Sequence, residues 1–300
     1  MSAQQRLLLI SDPDQPQSPA FDRAAALAEA TGATLDILVC GGPSGTLWLL
    51  DENIRDQVRA AFFERQHAWL DNLGEHLRAR GIQATAETFW ADKPELEVLR
   101  FLKTKPADLV IKPTRHEFLL KRAFITPLDW QLLRNCPMPL HLVSTAEHRL
   151  PRKVAAAVDL SRTDAESTAL NEHIVSVAED FALQCGAKLH LVMAYEQSQS
   201  FFAYAAGPVG WTEALQEQLT GNLHSTFNQF AERRGVPGHR RHFLPGVPAK
   251  IITEFAVREE MDVVVVGTLT RKGLDKVLGS TAEQVLYKVP SIIAVRPPEA

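Results

Sequence analysis

The sequence contains two copies of one pattern, and this repetition limits the possible folds more than any other feature. The apolar segment Lys153–Asp159 matches Arg6–Asp12 at an offset of 147 residues, and Asp262–Gly267 matches Asp108–Pro113 at an offset of 154. The chain has 300 residues, which is about twice the usual length of one domain. We therefore expect a duplication, with small insertions in the second copy and domains at 1–146 and 150–300.

Each copy alternates short apolar strands with helices. In the first copy a helix begins after Ser18 and ends at Gly32, and in the second copy Gly186 ends the corresponding helix. This alternation predicts an α/β fold, a parallel sheet with helices on both faces in each domain. The predicted strands are 6–12, 34–39, 84–89, 108–112 and 140–143 in the first copy, and 153–159, 188–193, 239–244, 262–267 and 291–295 in the second.

One long helix is predicted in each copy, at 53–80 and at 212–234. Apolar residues recur along both, mostly four apart, and this spacing predicts that one face packs inward. The residues of these faces are Ile54, Val58, Phe62, Trp69, Leu73 and Leu77 in the first helix, and Leu215, Leu219, Leu223, Phe227 and Phe230 in the second.

Composition excludes several classes of partner and location. The formal net charge is -4, and no basic patch with interleaved aromatic residues occurs, so we expect no nucleic-acid and no membrane partner. The three cysteines are scattered, which fits a reducing compartment. The first apolar run, of about five residues, is too short for a signal peptide or a membrane span, and the expected location is the cytoplasm.

Motifs for metal binding and catalysis are absent from the sequence. There is no CxxC, GxSxG, HExxH or Walker A motif. His239 and His242 fall three apart in a predicted strand and should point to opposite faces, and His67 and His76 lack acidic partners. We therefore expect no metal site and no catalytic residues.

The segment after the fourth strand of the second copy carries a recognisable motif. It runs from Gly267 through Thr270 to Gly279-Ser280-Thr281 and resembles the phosphate-binding signature Gly-x2-Gly-x9-Gly-Ser/Thr of the universal stress protein family. The segment from Thr126 to Pro137 resembles the degenerate first half of the tandem, E-type branch of that family. The resemblance covers Arg6 to Val295.

The resemblance implies two Rossmann-like domains, each a five-stranded parallel sheet of order 3-2-1-4-5, paired as an intramolecular pseudo-dimer. It also implies that the second domain binds ATP, as Mg-ATP, or a related nucleotide, whereas the first has a degenerate site. By this resemblance Val158 and Asp159 face the adenine and ribose. The residues implied to hold the nucleotide are Val158, Asp159, Gly267, Thr270, Gly279, Ser280 and Thr281.

Structural explanations stand beside each of these assignments. Ser280 and Glu283 match a capping box, so Ser280 could cap a helix without binding an anion. Asp159 could start a turn, because Asp is common where a strand ends. Arg271 and Lys272 could attract a triphosphate or could be solvated loop cations.

Two departures from the signature lower the expected affinity. Its second glycine falls at Thr270, which has a Cβ where a backbone should approach a phosphate. Eight residues instead of nine separate Thr270 from Gly279.

The first copy keeps Asp12 but has no glycine after its fourth strand. Lys112 and Pro113 stand there, and proline removes an N–H that a phosphate cradle would use. We therefore interpret this copy as a pseudo-domain, with a structural role or with an apolar ligand.

Three functions are compatible with the sequence. The first is a regulatory stress-response protein that binds a nucleotide weakly and acts through a partner protein. The second is an enzyme on the same fold, a slow nucleotide hydrolase or nucleotidyl-transfer enzyme. The third is a scaffold without nucleotide, or a carrier of an apolar ligand. A homodimer is compatible with each of them.

Overall fold

The chain forms two units, which we call unit 1 (Met1–Leu150) and unit 2 (Pro151–Ala300). The structure is a computed structural model that describes residues 4–13, 17–42, 49, 51–114, 127–196, 212–268, 285–286 and 288–298. Thr270, Gly279, Ser280 and Thr281, four of the predicted nucleotide contacts, lie outside the described residues.

Unit 1 contains a parallel sheet with the strand order β3-β2-β1-β4-β5. Strands and helices alternate along the chain, as the sequence predicts. The elements are β1 (Arg6–Ser11), α1 (Pro19–Thr31), β2 (Thr34–Gly41), α2 (Glu52–Ala79), β3 (Ala84–Trp90), α3 (Pro94–Thr104), β4 (Leu109–Pro113), α4 (Pro127–Asn135) and β5 (Leu140–Val143).

Unit 2 repeats this arrangement, and its parallel sheet has the order β8-β7-β6-β9-β10. The predicted order 3-2-1-4-5 is therefore present in each unit. The elements are β6 (Lys153–Ala157), α5 (Ala165–Cys185), β7 (Lys188–Tyr195), α6 (Glu213–Arg233), β8 (Arg241–Pro245), α7 (Pro248–Arg258), β9 (Val263–Gly267) and β10 (Ser291–Val295).

The central strands are covered on both faces. Four consecutive valines of β9, 263–266, are buried, and so are Leu7 to Ser11 of β1. Successive side chains of a strand point to opposite faces, so continuous burial means that both faces are packed. The apolar runs of the sequence therefore become the core of each unit.

Helix ends follow local signals in the sequence. The Ser18 Oγ accepts a hydrogen bond from the Phe21 N–H at 3.3 Å, and Pro19 occupies the first turn of α1. Gly32 and Gly186 end α1 and α5 with φ of 69° and 64°, a left-handed conformation that glycine adopts without a Cβ clash. The predicted boundaries of α1 and α5 are thus confirmed.

The long helices bury less of their apolar faces than the sequence predicts. Phe62, Leu73 and Leu77 of α2 are buried, but Ile54 is 41% exposed. An α-helix of 28 residues is about 42 Å long, whereas the 7-residue strand β3 spans about 23 Å, so the first turns of α2 extend past the sheet. Leu219 of α6 is 43% exposed.

None of the helices in the described ranges combines the length and hydrophobicity needed to cross a membrane.

The start of the eighth strand differs from the prediction. Gly238–Arg240 form a short 3₁₀ helix, and β8 begins only at Arg241. His239 is therefore not a strand residue, and the predicted opposition of His239 and His242 across a strand is wrong. The 3₁₀ turn follows Pro237, whose ring fixes φ at -70°.

We predict that Ser18→Ala destabilises unit 1 by about 1 kcal/mol, because the first turn of α1 loses its side-chain cap. Urea unfolding of the full-length protein measures this loss. Ser18→Thr keeps a hydroxyl and is the matched control, with the larger part of the stability retained. Equal losses in the two variants would contradict a capping role.

Candidate functional site

The candidate site lies where two central strands of unit 2 end side by side. β6 pairs with β9 in parallel, and Ala157 lies opposite Val266. Val158 and Gly267 are the next residues along the two strands. The Val158 N–H donates to the Val192 carbonyl at 3.0 Å, which continues the β6–β7 ladder by one bond, and Val158 is buried. The carboxyl edge of a parallel sheet is where α/β proteins bind ligands.

The backbone of Asp159 is held by one side chain of α5. The Asp159 N–H donates to the Asn171 Oδ1 at 2.9 Å, and the Asn171 Nδ2 donates to the Asp159 carbonyl at 2.7 Å. Asn171 is buried, so both bonds are shielded from competing water. This clamp fixes the direction in which the chain leaves β6.

The carboxylate of Asp159 makes a turn. Its Oδ1 accepts hydrogen bonds from the Ser161 N–H, at 3.1 Å, and from the Ser161 hydroxyl. This is an Asx turn, in which a short acidic side chain bonds the backbone two residues on. The turn interpretation of Asp159 is confirmed, and its contact with a ribose stays a prediction.

Gly267 lies directly beneath α5. A Cβ added there would lie 2.7 Å from the Leu170 Cδ2 and 3.0 Å from the Ile174 Cδ1. The close approach of this helix accounts for glycine at the position without any ligand. Contact between Gly267 and a phosphate stays a prediction beside this packing role.

The chain that leaves β9 is anchored by Thr268. Its N–H and its hydroxyl both donate to the Val295 carbonyl, at 2.8 and 3.3 Å, and the residue is buried. Thr114 in unit 1 makes the same backbone bond, from its N–H to the Val143 carbonyl at 2.9 Å. In both units the loop after the fourth strand therefore starts from a fixed point beside the fifth strand.

Two of these residues were missed by the sequence reasoning. Asn171 could have been noticed, because asparagine is a poor former of helix interiors and favours local backbone bonds instead. Thr268 could have been noticed because Pro113-Thr114 and Gly267-Thr268 stand at matching places in the two copies.

The corresponding carboxyl edge of the sheet in unit 1 contains an ion pair. The Lys112 Nζ lies 2.7 Å from the Asp129 Oδ1 of α4 and donates to the Pro113 carbonyl at 3.1 Å. Both residues are buried. A buried cation that already has a carboxylate partner is not available to balance a phosphate charge.

A cysteine of β2 lies near this pair and is not activated. Burial raises the pKa of the Cys40 thiol to about 12, although the Lys112 charge acts in the opposite direction. A thiol with so high a pKa is neutral at physiological pH and is a poor nucleophile.

Comparison with known proteins identifies relatives over nearly the full chain. The model of the universal stress protein family matches twice, at residues 4–144 and 151–296. Universal stress protein E of Escherichia coli strain K12 is 27% identical over 292 residues, which cover 95% of this chain and 92% of that protein. A universal stress protein E homolog of Haemophilus influenzae is 30% identical over 253 residues, which cover 83% and 81%.

Solved structures agree in fold. A protein of unknown function from Pseudomonas aeruginosa PAO1 superposes with a TM-score of 0.77 at 26% identity, and the match covers 99% of this chain and 94% of that one. A universal stress protein from Archaeoglobus fulgidus superposes with a TM-score of 0.68 at 15% identity over 97% and 96% of the two chains, a likeness of fold alone.

We predict that Gly267→Ala destabilises unit 2 by about 1–3 kcal/mol, because the new methyl group overpacks the contact with α5. Leu170→Ala alone should cost about 2–5 kcal/mol through the cavity that it leaves. The double variant should lose less stability than the sum of the two single losses, because the smaller side chain at residue 170 makes room for the new methyl group. Chemical unfolding of the full-length variants measures the coupling, and strict additivity would contradict the packing role of Gly267.

Proposed function

The chain belongs to the universal stress protein family and has the tandem arrangement of universal stress protein E, and on that premise we propose that unit 2 binds ATP or a related nucleotide for a regulatory stress response. One observation carries this proposal. Val158 and Asp159 directly follow β6, where it runs beside β9, and β9 ends at Gly267. This is the position in a doubly wound sheet at which ligands bind.

Two contacts among the described residues support a nucleotide site at this edge. Asn171 fixes the backbone at Asp159, and Thr268 fixes the start of the segment that carries the phosphate signature. Gly279, Ser280 and Thr281 would hold the phosphates through the free N–H groups at a helix N-terminus. Bound nucleotide supplies negative charge and a purine surface, which a partner protein can distinguish from the empty state.

Binding is expected in unit 2 alone. In unit 1 the buried Lys112–Asp129 pair occupies the corresponding edge. Pro113 stands where unit 2 has Gly267, and it lacks the N–H that a phosphate cradle requires. We therefore assign unit 1 a structural role in support of unit 2.

The site favours binding over hydrolysis. A hydrolase needs a general base within reach of the attacking water. The carboxylate of Asp159, which follows β6 at the proposed site, is engaged with Ser161 in its turn. ATP turnover by the full-length protein at saturating Mg²⁺ separates the two functions, and turnover that disappears in Gly279→Val would establish the enzyme instead.

We also propose that the protein acts in the cytoplasm. Cys40, Cys136 and Cys185 all lie in the described part of the chain, and none of them forms a disulfide. Thiols kept reduced are typical of the cytosol.

We predict that Gly279→Val weakens ATP binding about five- to hundredfold, because a branched side chain blocks the approach of backbone to phosphate; this equals about 1–3 kcal/mol. Isothermal titration of the full-length protein measures the affinity. Pro113→Ala, at the edge of unit 1, is the matched control and should leave the affinity unchanged. Equal losses from both changes would refute the assignment to unit 2.

A further prediction concerns affinity. The shortened signature misplaces about two backbone amides, and each charge-assisted bond lost costs about 1.5–3 kcal/mol, so the dissociation constant for ATP should be tens of micromolar or weaker. The protein should therefore purify without bound ATP. Thr270→Gly with one residue inserted after Lys276 should tighten binding. Native mass spectrometry that finds ATP retained from the cell would contradict this expectation.

A further inference from the structure

Two histidines of unit 2 meet across neighbouring strands, away from the candidate nucleotide site. The Nδ1 of His190 on β7 lies 3.0 Å from the Nε2 of His242 on β8. The rings are nearly coplanar and meet edge to edge, with centroids 5.3 Å apart and planes 15° from parallel. At this separation one ring donates its N–H to the lone pair of the other, which requires that at least one imidazole is neutral.

The pair lies half-buried against α7. The ring of His242 packs on Phe255 at a centroid distance of 4.4 Å. Among the described residues no group of three or more His, Cys, Asp or Glu side chains is arranged to hold a metal ion, so the pair lacks the further protein ligands of a structural metal site. The chemistry left to two imidazoles in contact is the gain and loss of protons.

The surroundings of His190 oppose its protonation. Burial is the main cause that lowers the pKa of His190, to about 4, and His242 on β8 lowers it next. Arg240, in the 3₁₀ turn, and Lys153 on β6 add to the effect, whereas Glu259 acts against it.

The surroundings of His242 act in the same direction. Burial lowers the pKa of His242, and the charge of Arg258 contributes. Glu259, which follows α7, opposes the shift but forms an ion pair with Arg258, from Nε to Oε1 at 3.0 Å. Neutral rings are therefore the stable state at neutral pH.

We propose that the His190–His242 pair is an acid-sensitive latch that holds β8, the edge strand of unit 2, to β7. At neutral pH the pair adds a side-chain hydrogen bond to the strand ladder. When both rings are protonated, neither nitrogen can accept, and two like charges lie 3.0 Å apart in a half-buried site. Protonation therefore favours separation of β8 from β7.

Unit 1 has ion pairs at the corresponding positions. Asp36 is the third residue of β2, as His190 is of β7, and it pairs with Arg6 of β1. Glu87 lies opposite Leu38 as His242 lies opposite Val192, and its Oε1 lies 2.9 Å from the Lys105 Nζ. Asp36 bonds toward β1 and Glu87 toward Lys105, which follows α3, and neither position carries an imidazole, so the proposed latch belongs to unit 2 alone.

The direction of the pH dependence follows from the pKa of histidine in the unfolded chain and the pKa of His190 in the folded protein. An unfolded histidine has a pKa near 6.5, as a general value, and His190 has about 4 in the fold. Between these two pKa values the unfolded chain binds more protons than the folded chain. The contribution of His190 to stability is therefore fully present above the unfolded pKa and is lost as pH falls toward the folded pKa. From pH 7 to 4.5 His190 alone should raise the equilibrium constant for opening roughly fiftyfold.

Hydrogen–deuterium exchange of the full-length protein tests the latch. Peptides that cover β7 and β8 are compared at pH 7 and 4.5, with rates corrected for the intrinsic effect of pH. In the wild type, protection should fall on acidification by roughly fiftyfold more than in His190→Gln, which keeps a hydrogen-bonding side chain but does not titrate. His239→Gln replaces an exposed histidine next to β8 and should behave as the wild type.

A second measurement stands without any variant. Proton NMR titration of the wild-type protein should find that His190 and His242 both titrate below the ordinary range of histidine, and the signal of the replaced ring should be absent from His190→Gln and from His242→Gln. The proposal is overturned if His190 and His242 titrate near pH 6.5. It is also overturned if the acid-induced loss of protection is the same in His190→Gln as in the wild type.

Discussion

Burial of both faces of each sheet determines where polar chemistry can lie in this protein. The inner strands, such as β9 with its four buried valines, have no face open to solvent. A polar side chain buried inside a unit must therefore meet a partner, as Asn171 meets the backbone of Asp159. Groups that are to meet a ligand must lie at the strand ends, where Asp159 leaves the sheet.

The sequence predicts the elements well wherever a local signal sets their limits. Ser18 and Gly32 bound α1 because a hydroxyl cap and a left-handed glycine act within a few residues of each end. The prediction fails where burial depends on the reach of a neighbouring element. The four-residue spacing at Ile54 is correct for a helix face, but Ile54 is 41% exposed because α2 is longer than the neighbouring strand β3.

The sequence predicts where the candidate site lies in the fold, but it does not predict which side chains contact one another there. The ends of β6 and β9 follow from strand order, which puts Asp159 and Gly267 together. The side chains of Asn171 and Leu170 come from α5, and their reach depends on how that helix is rotated over the sheet, which sequence spacing does not specify. The Lys112–Asp129 pair was missed for the same reason, because it requires α4 to return over β4.

The carboxyl edges of the two sheets differ in the interactions that a ligand would meet there. In unit 1 the edge is held by a buried ion pair, and separating Lys112 from Asp129 leaves two uncompensated charges, a loss of about 3–5 kcal/mol. In unit 2 the edge is held by neutral hydrogen bonds from Asn171 to the backbone of Asp159. These bonds do not have to break when an anion arrives nearby. The duplicated fold thus has one carboxyl edge held by a buried ion pair and one held by neutral hydrogen bonds, and the second is the edge at which we propose nucleotide binding.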